Sequence, residues 1–195
     1  HANRSIQLSA PPKMFVFSNN IIDSTNTTGI FFSNTMNPFH DVLIENSLFN
    51  YTGQEAILGG GIQGDNGLTN TSGILIKNCY FNDSQSGSRL VYLTNVVSDV
   101  SIVNCRFNKI SGTSMAGNEA CEVAGTATNP ASNVTFADSY VESCTEDAFE
   151  ILAAGVNVRF INLVADNCPG EIVDFYNAAI SNIYDPDSTG NVITG

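Results

Sequence analysis

One eight-residue pattern returns six times along the chain, and repeats this short must stack on one another to bury an apolar face. The copies begin at Phe15, Val42, Ile74, Val100, Val134 and Val158, with starts 27, 32, 26, 34 and 24 residues apart, and a degenerate seventh begins near Asn182. Two of them read Ile74-Leu75-Ile76-Lys77-Asn78-Cys79-Tyr80-Phe81 and Val100-Ser101-Ile102-Val103-Asn104-Cys105-Arg106-Phe107. Apolar and polar residues alternate with the period of a half-buried strand until Asn or Asp marks a turn.

A second short apolar segment follows in each repeat, at 30–32, 56–58, 90–93, 120–123, 148–151 and 172–175. Short strands, loops of variable length and no helical segment between them describe a coil whose successive turns pair in parallel, about 4.8 Å apart. The expected fold is all-β, a single-stranded parallel β-helix of about six to seven coils forming one domain over residues 1–195. Stacking turns aligned positions into ladders. Phe17, Ile44, Ile76, Ile102, Phe136 and Phe160 make one expected buried column, and Ile22, Phe49, Phe81, Phe107, Val141 and Ala165 another. Asn19, Asn46, Asn78, Asn104, Asp138 and Asn162 make a turn ladder whose side-chain amides bond from coil to coil.

Segments of the Ile-x-Asn-Cys-x-Phe type, clearest from Ile76 to Phe81 and from Ile102 to Phe107, give nearly the whole chain its character. In these the chain resembles the pectate-lyase-like superfamily, which also holds polygalacturonases, epimerases and phage tailspikes. The resemblance implies a right-handed coil, which the general preference for right-handed crossovers supports. It also implies an extracellular, cell-surface or virion setting, and it identifies an architecture rather than an activity. The polygalacturonase segments Asn-Thr-Asp, Asp-Asp, His-Gly and Arg-Ile-Lys are absent, and a Trp-containing lyase motif cannot exist in a chain with no Trp. Pectate lyase and polygalacturonase are therefore disfavoured. Neither terminus shows an amphipathic helix to cap an open coil, so the chain is read as one module or fragment of a larger chain, homo-oligomer or filament.

Charge narrows the partners. Seven Lys and Arg stand against 19 Asp and Glu, a net charge of -12, which repels nucleic-acid backbones and anionic membranes. No apolar run approaches a membrane span, so neither nucleic acid nor membrane insertion is expected. The five cysteines show no CxxC pair. Cys79 and Cys105, aligned on adjacent coils, read as buried thiols, and Cys121 as core. Cys144 and Cys168, a second aligned pair at turns, fit thiols or a disulfide equally well.

On the second strands, alternation points Val91, Cys121, Phe149 and Val173 inward and Tyr92, Glu122, Glu150 and Asp174 outward. Just ahead lies a charged column of Glu55, Arg89, Glu119, Asp147 and Glu171. Carboxylates one rung apart repel, which raises pKa values as a general acid beside an ionised partner requires. Glycoside hydrolysis uses such pairs, neighbouring rungs giving the short separation of a retaining enzyme, and Glu122 with Asp174 approaching the wider inverting one. Glu122, Glu150 and Asp174 are thus the catalytic candidates. Arg89, Glu119, Asp147 and Glu171 surround them, with Tyr92 and Tyr176 placed to stack on a sugar ring. Long insertions at 59–72 and 109–118 are expected to rim this face.

The expected partner is a polysaccharide or other glycan. No cofactor or metal is expected, calcium being the one ion these oxygen ligands would suit. A neighbouring apolar row, Ala56, Leu90, Ala120, Ala148 and Ile172, also reads as outward. It motivates a competing expectation, a non-catalytic fibre, sheath or adhesin module that assembles through this strip and its coil ends.

Overall fold

The structure, a computed structural model, describes residues 4–8, 14–25, 28–32, 40–52, 62–64, 71–84, 89–94, 96–110, 119–125, 130–144, 146–153, 157–176 and 183–184. Among these, the regular elements are all strands and every pairing is parallel. Three stacks result. Sheet 1 contains Arg4–Leu8, Thr28–Phe32, Ile62–Gly64, Val91–Thr94, Cys121–Ala124, Phe149–Leu152 and Val173–Tyr176. Sheet 2 runs from Phe15–Ser18 to Ile183–Tyr184, and sheet 3 from Ile21–Thr25 to Val164–Ala165. The stacks are seven, seven and six strands high, and the chain visits them in the order 1, 2, 3 around each coil.

Both expected buried columns hold in register. Phe17, Ile44, Ile76, Ile102, Phe136 and Phe160 align down sheet 2, and Ile22, Phe49, Phe81, Phe107, Val141 and Ala165 down sheet 3. Parallel stacking places like rings on like. Phe49, Phe81 and Phe107 lie face to face with centroids 4.8 and 5.0 Å apart, and Phe136 stacks on Phe160 at 5.3 Å. Burying one such side chain contributes about 1.5–3 kcal/mol.

The corner from sheet 2 to sheet 3 is made by the expected turn ladder. Asn19, Asn46, Asn78, Asn104, Asp138 and Asn162 hold φ between 49° and 57°, the left-handed region that Asn and Asp enter more readily than other non-glycine residues. Asn78 donates to the Asn46 carbonyl at 3.1 Å, Asn104 to Asn78 at 2.9 Å, and Asn162 to the Asp138 carboxylate at 2.9 Å. A second left-handed column, unforeseen in the sequence, precedes the core-facing residues of sheet 2: Asp41, Gly73, Asp99, Asn133 and Asn157. There Asn133 donates to Asp99 and Asn157 to Asn133, both at 3.0 Å. On sheet 3 a third amide ladder links Asp23, Asn50, Asn82 and Asn108.

Two expectations are corrected. The segment 56–58, with Glu55 before it, lies outside the described residues, and the sheet 1 rung between Thr28–Phe32 and Val91–Thr94 is filled by Ile62–Gly64. Ala-Ile-Leu is the stronger apolar signal, but pairing with the rungs on either side selects the later segment. The predicted loop at 59–72 therefore contains a strand. The apolar strip is also not outward. Leu90, Ala120 and Ala148 are fully buried in the core and Ile172 is half-buried against it. Each sits at a bend just before its strand, where the alternation of a strand does not apply, so Leu90 and Val91 both turn inward.

Cys79, Cys105 and Cys121 are buried free thiols. Burial pushes the Cys105 and Cys121 thiols well above their ordinary pKa. Cys144 and Cys168 form a disulfide that joins adjacent coils, with Cα atoms 4.8 Å apart.

Candidate functional site

Sheet 1 differs from the other two sheets in its outer face. Within a strand of one solvated face, side chains alternate between buried and open, as Val42–Glu45 does on sheet 2. In Cys121–Ala124 every residue is buried, and in Phe149–Leu152 the first three are. The residues on the outer face are the acids. Tyr92, Glu122, Glu150 and Asp174 stand in one register, one rung apart, as the sequence pattern requires. Backbone bonds continue the stacking ahead of the strands. Leu90 N–H donates to the Ala120 carbonyl, Ala120 N–H to Asp147 and Ala148 N–H to Glu171, which holds the flanking charged column in line.

The expected open acidic ladder is largely a buried one. Glu122 is 2% exposed, Glu119 5% and Glu150 9%, whereas Tyr92, Asp147, Glu171 and Asp174 are half-buried around them. Tyr176, one residue beyond the expected strand, pairs with Leu152, and its side chain lies outside the described residues. Arg89 provides the countercharge. Its Nε–H donates to Glu119 Oε2 at 2.8 Å, and the same nitrogen touches Glu122 Oε2 as an ion pair, so that Glu122 Oε2 accepts no hydrogen bond. The guanidinium carbon also lies 4.4 Å from the centre of the Tyr92 ring, a cation–π contact.

These contacts set the proton inventory. Burial, followed by the negative charges of Glu122 and Glu119, pushes the Glu150 carboxyl up to about 9. Burial raises Glu122 to about 7, with Arg89 and a hydrogen bond from Glu150 pulling it back. Burial alone would lower Arg89, but the carboxylates of Glu122 and Glu119 outweigh it and hold the guanidinium pKa above its ordinary value. Burial and Glu122 raise Tyr92. Glu150 is therefore a neutral acid at pH 7, hydrogen-bonded to a carboxyl poised near half-ionisation. Asp147 is raised by burial while its Oδ1 accepts the Glu171 N–H at 2.5 Å.

Carboxylate oxygens of Glu119, Glu122 and Glu150 lie within 4.8 Å of one another, as do those of Glu119, Glu146 and Asp147. The cation held in the first group is Arg89, and a divalent ion would have to displace it from both Glu119 and Glu122. The oxygens suit calcium in type, and the guanidinium is the group such an ion would replace. Glu146 is a member of this site that the repeat alignment did not single out. Its signal is adjacency to Asp147 in the charged column, in a sequence where acids are otherwise dispersed.

A profile described as a right-handed β-helix region matches residues 6–192, nearly the entire chain. The chain belongs to the right-handed β-helix family. The winding sense expected from the sequence is thus shown, and the acids of this β-helix lie on the outer face of the sheet that opens each coil. No curated protein and no solved structure is significantly similar to it.

Proposed function

We propose that this β-helix recognises a polysaccharide on the outer face of sheet 1 and hydrolyses it, with Glu150 as general acid and Asp174 as nucleophile. The observation that carries the reading is the pair itself: a carboxyl kept neutral up to about pH 9 stands one rung from the half-buried Asp174 side chain. Adjacent rungs are about 4.8 Å apart, close to the carboxyl separation of about 5–5.5 Å in retaining glycosidases. In that chemistry Glu150 gives its proton to the glycosidic oxygen as the bond to the anomeric carbon breaks. Asp174 bonds to that carbon from the opposite face. Water then displaces Asp174, its proton passing to Glu150, and both groups return to their starting states.

Other residues on the face support the reaction. Glu122, beneath Glu150, keeps the neighbouring potential negative and so holds the catalytic proton in place. Arg89 fixes Glu119 and Glu122 and braces the half-buried Tyr92 ring, the one described aromatic beside the acids that can stack on a sugar. Such substrates place the protein outside a cell, on a cell surface or on a virion. The competing fibre reading loses the lateral strip that motivated it, because Leu90, Ala120 and Ala148 are core.

The test is release of reducing ends from a panel of cell-surface polysaccharides by the wild-type chain, Glu150→Gln and Asp174→Asn. Loss of about 100-fold or more in kcat with unchanged binding is expected for both variants. Unchanged turnover in Glu150→Gln removes that residue from the mechanism, and the absence of both binding and cleavage across the panel removes the function.

A further inference from the structure

A concave surface lies away from the sheet 1 acids, at the corners between sheets 2 and 3 of the first coils. It is an open groove of 460 Å³, lined on three successive coils by Asn19, Asn46 and Asn78 and by Ile21, Leu48 and Tyr80. The last three align in register as the first outward residues of sheet 3. Ile21 is 71% exposed, the most exposed of the large hydrophobic residues described. None of the described residues lining the groove is charged.

We propose that this groove binds a neutral polysaccharide whose chain lies along the stacking direction. A side-chain amide has two N–H donors and two acceptor sites, and the ladder between Asn78 and Asn46 uses one donor of the first and one acceptor site of the second. The Asn46 amide nitrogen donates to no described residue, so both its N–H groups are available to a ligand. The backbone fixes these amides at φ near 50°, one per coil, at the strand spacing of about 4.8 Å. That spacing is close to the advance per sugar of an extended, equatorially linked pyranose chain, whose vicinal hydroxyls both donate and accept. Ile21, Leu48 and the Tyr80 ring supply the apolar surface on which the C–H faces of such sugars rest.

Charge selects the neutral class. The net charge of -12 repels polyanions, the Arg106 guanidinium 5.4 Å from the centre of the Tyr80 ring is neutralised by its ion pair with Glu142, and an uncharged lining offers nothing to hold a cation. This site does not depend on hydrolysis at sheet 1. It would retain a chain on one flank of the β-helix whether or not the acids cleave it.

Electrophoresis of the full chain in native gels containing mixed-linkage β-glucan, xylan or galactomannan tests the proposal. At least one of these is expected to retard the wild-type protein, and Ile21→Ser to raise the apparent Kd roughly tenfold, the loss of about 1.4 kcal/mol of apolar contact. Asn46→Asp, which keeps the left-handed corner and the acceptor for Asn78 while removing both donors, should weaken retention similarly. Ile21→Ser should release reducing ends from the substrate of sheet 1 at the wild-type rate, which separates failure here from failure at sheet 1. Ile21 is exposed, so its variant folds even where Asn46→Asp does not, and circular dichroism checks both. The proposal is overturned by no retardation in any of the three polysaccharides, or by wild-type retention of Ile21→Ser. It is also overturned where sedimentation shows that Ile21→Ser abolishes self-association, because the face is then a contact between copies of the chain.

Discussion

Glu150 lies one rung from Glu122 on the outer face of sheet 1, in direct register, and both carboxyls are buried. Two adjacent acids in that position cannot both ionise cheaply, so the folded chain keeps protons that the unfolded chain releases. The folded pKa values, about 7 and about 9, lie above the ordinary carboxyl value of 4.5. Their contribution to stability is therefore complete below about 4.5 and is lost as pH rises through 7 and 9. Urea midpoints are expected to fall between about pH 5.5 and pH 9, each tenfold difference in proton affinity between the folded and unfolded chain corresponding to about 1.4 kcal/mol. Glu150→Gln, neutral at every pH, should flatten that dependence and be more stable than wild type at pH 9. A midpoint that rises over the same interval contradicts the shared-proton pair.

Arg89 is the only described cation in contact with this cluster, touching both Glu119 and Glu122. Removing one partner of a buried ion pair leaves an uncompensated charge, which costs about 3–5 kcal/mol. Arg89→Met is expected to lose stability on this scale at pH 8. The loss should be smaller at pH 5, where Glu122 and Glu150 are protonated. Adding Glu122→Gln to Arg89→Met should recover part of the loss, read as a non-additive double-mutant cycle in urea denaturation.

The inward columns were legible because sheets 2 and 3 are solvated on their outer faces, so Ile44 and Phe81 alternate with polar or half-exposed neighbours. The register of Glu122, Glu150 and Asp174 was legible for a related reason, since each follows an apolar inward residue at the same place in its repeat. Their burial was not. Alternation reports which face a side chain takes, and carries no information about what covers that face. Leu90 departs from the alternation because a bend cancels the strand period, and Ile62 gives no signal because a three-residue rung with one apolar side chain has almost no pattern of its own. The pairing of Arg89 with Glu122 spans separate coils, so no local spacing announces it.

Asn78 combines a left-handed backbone with a place in the amide ladder, giving to Asn46 and receiving from Asn104. The two contributions can be separated. Asn78→Gly keeps the backbone freely accessible and deletes the amide bonds, an expected loss of about 1 kcal/mol. Asn78→Ala deletes the same bonds and adds the left-handed penalty of about 1–2 kcal/mol for a residue with a Cβ. Thermal denaturation should therefore rank wild type above Gly and Gly above Ala. Equal losses in the two variants would assign the whole effect to the ladder.

Cys144 and Cys168 join neighbouring coils at a sequence separation of 24 residues, while Cys79, Cys105 and Cys121 remain thiols inside the core. A cross-link of this span restricts the unfolded chain, and its loss should cost about 2–4 kcal/mol. Cys144→Ser with Cys168→Ser is expected to lower the unfolding free energy by that amount without altering the strand content seen by circular dichroism. The thiols provide an independent check. With Ellman's reagent and no reductant, the folded protein should show essentially no reactive thiol, because all three are buried. Unfolding in guanidinium should expose three, and prior reduction should raise the count to the five cysteines of the sequence. Five without reduction would mean that the disulfide does not form, and one would mean that Cys79 and Cys105, aligned on adjacent coils, are cross-linked as well.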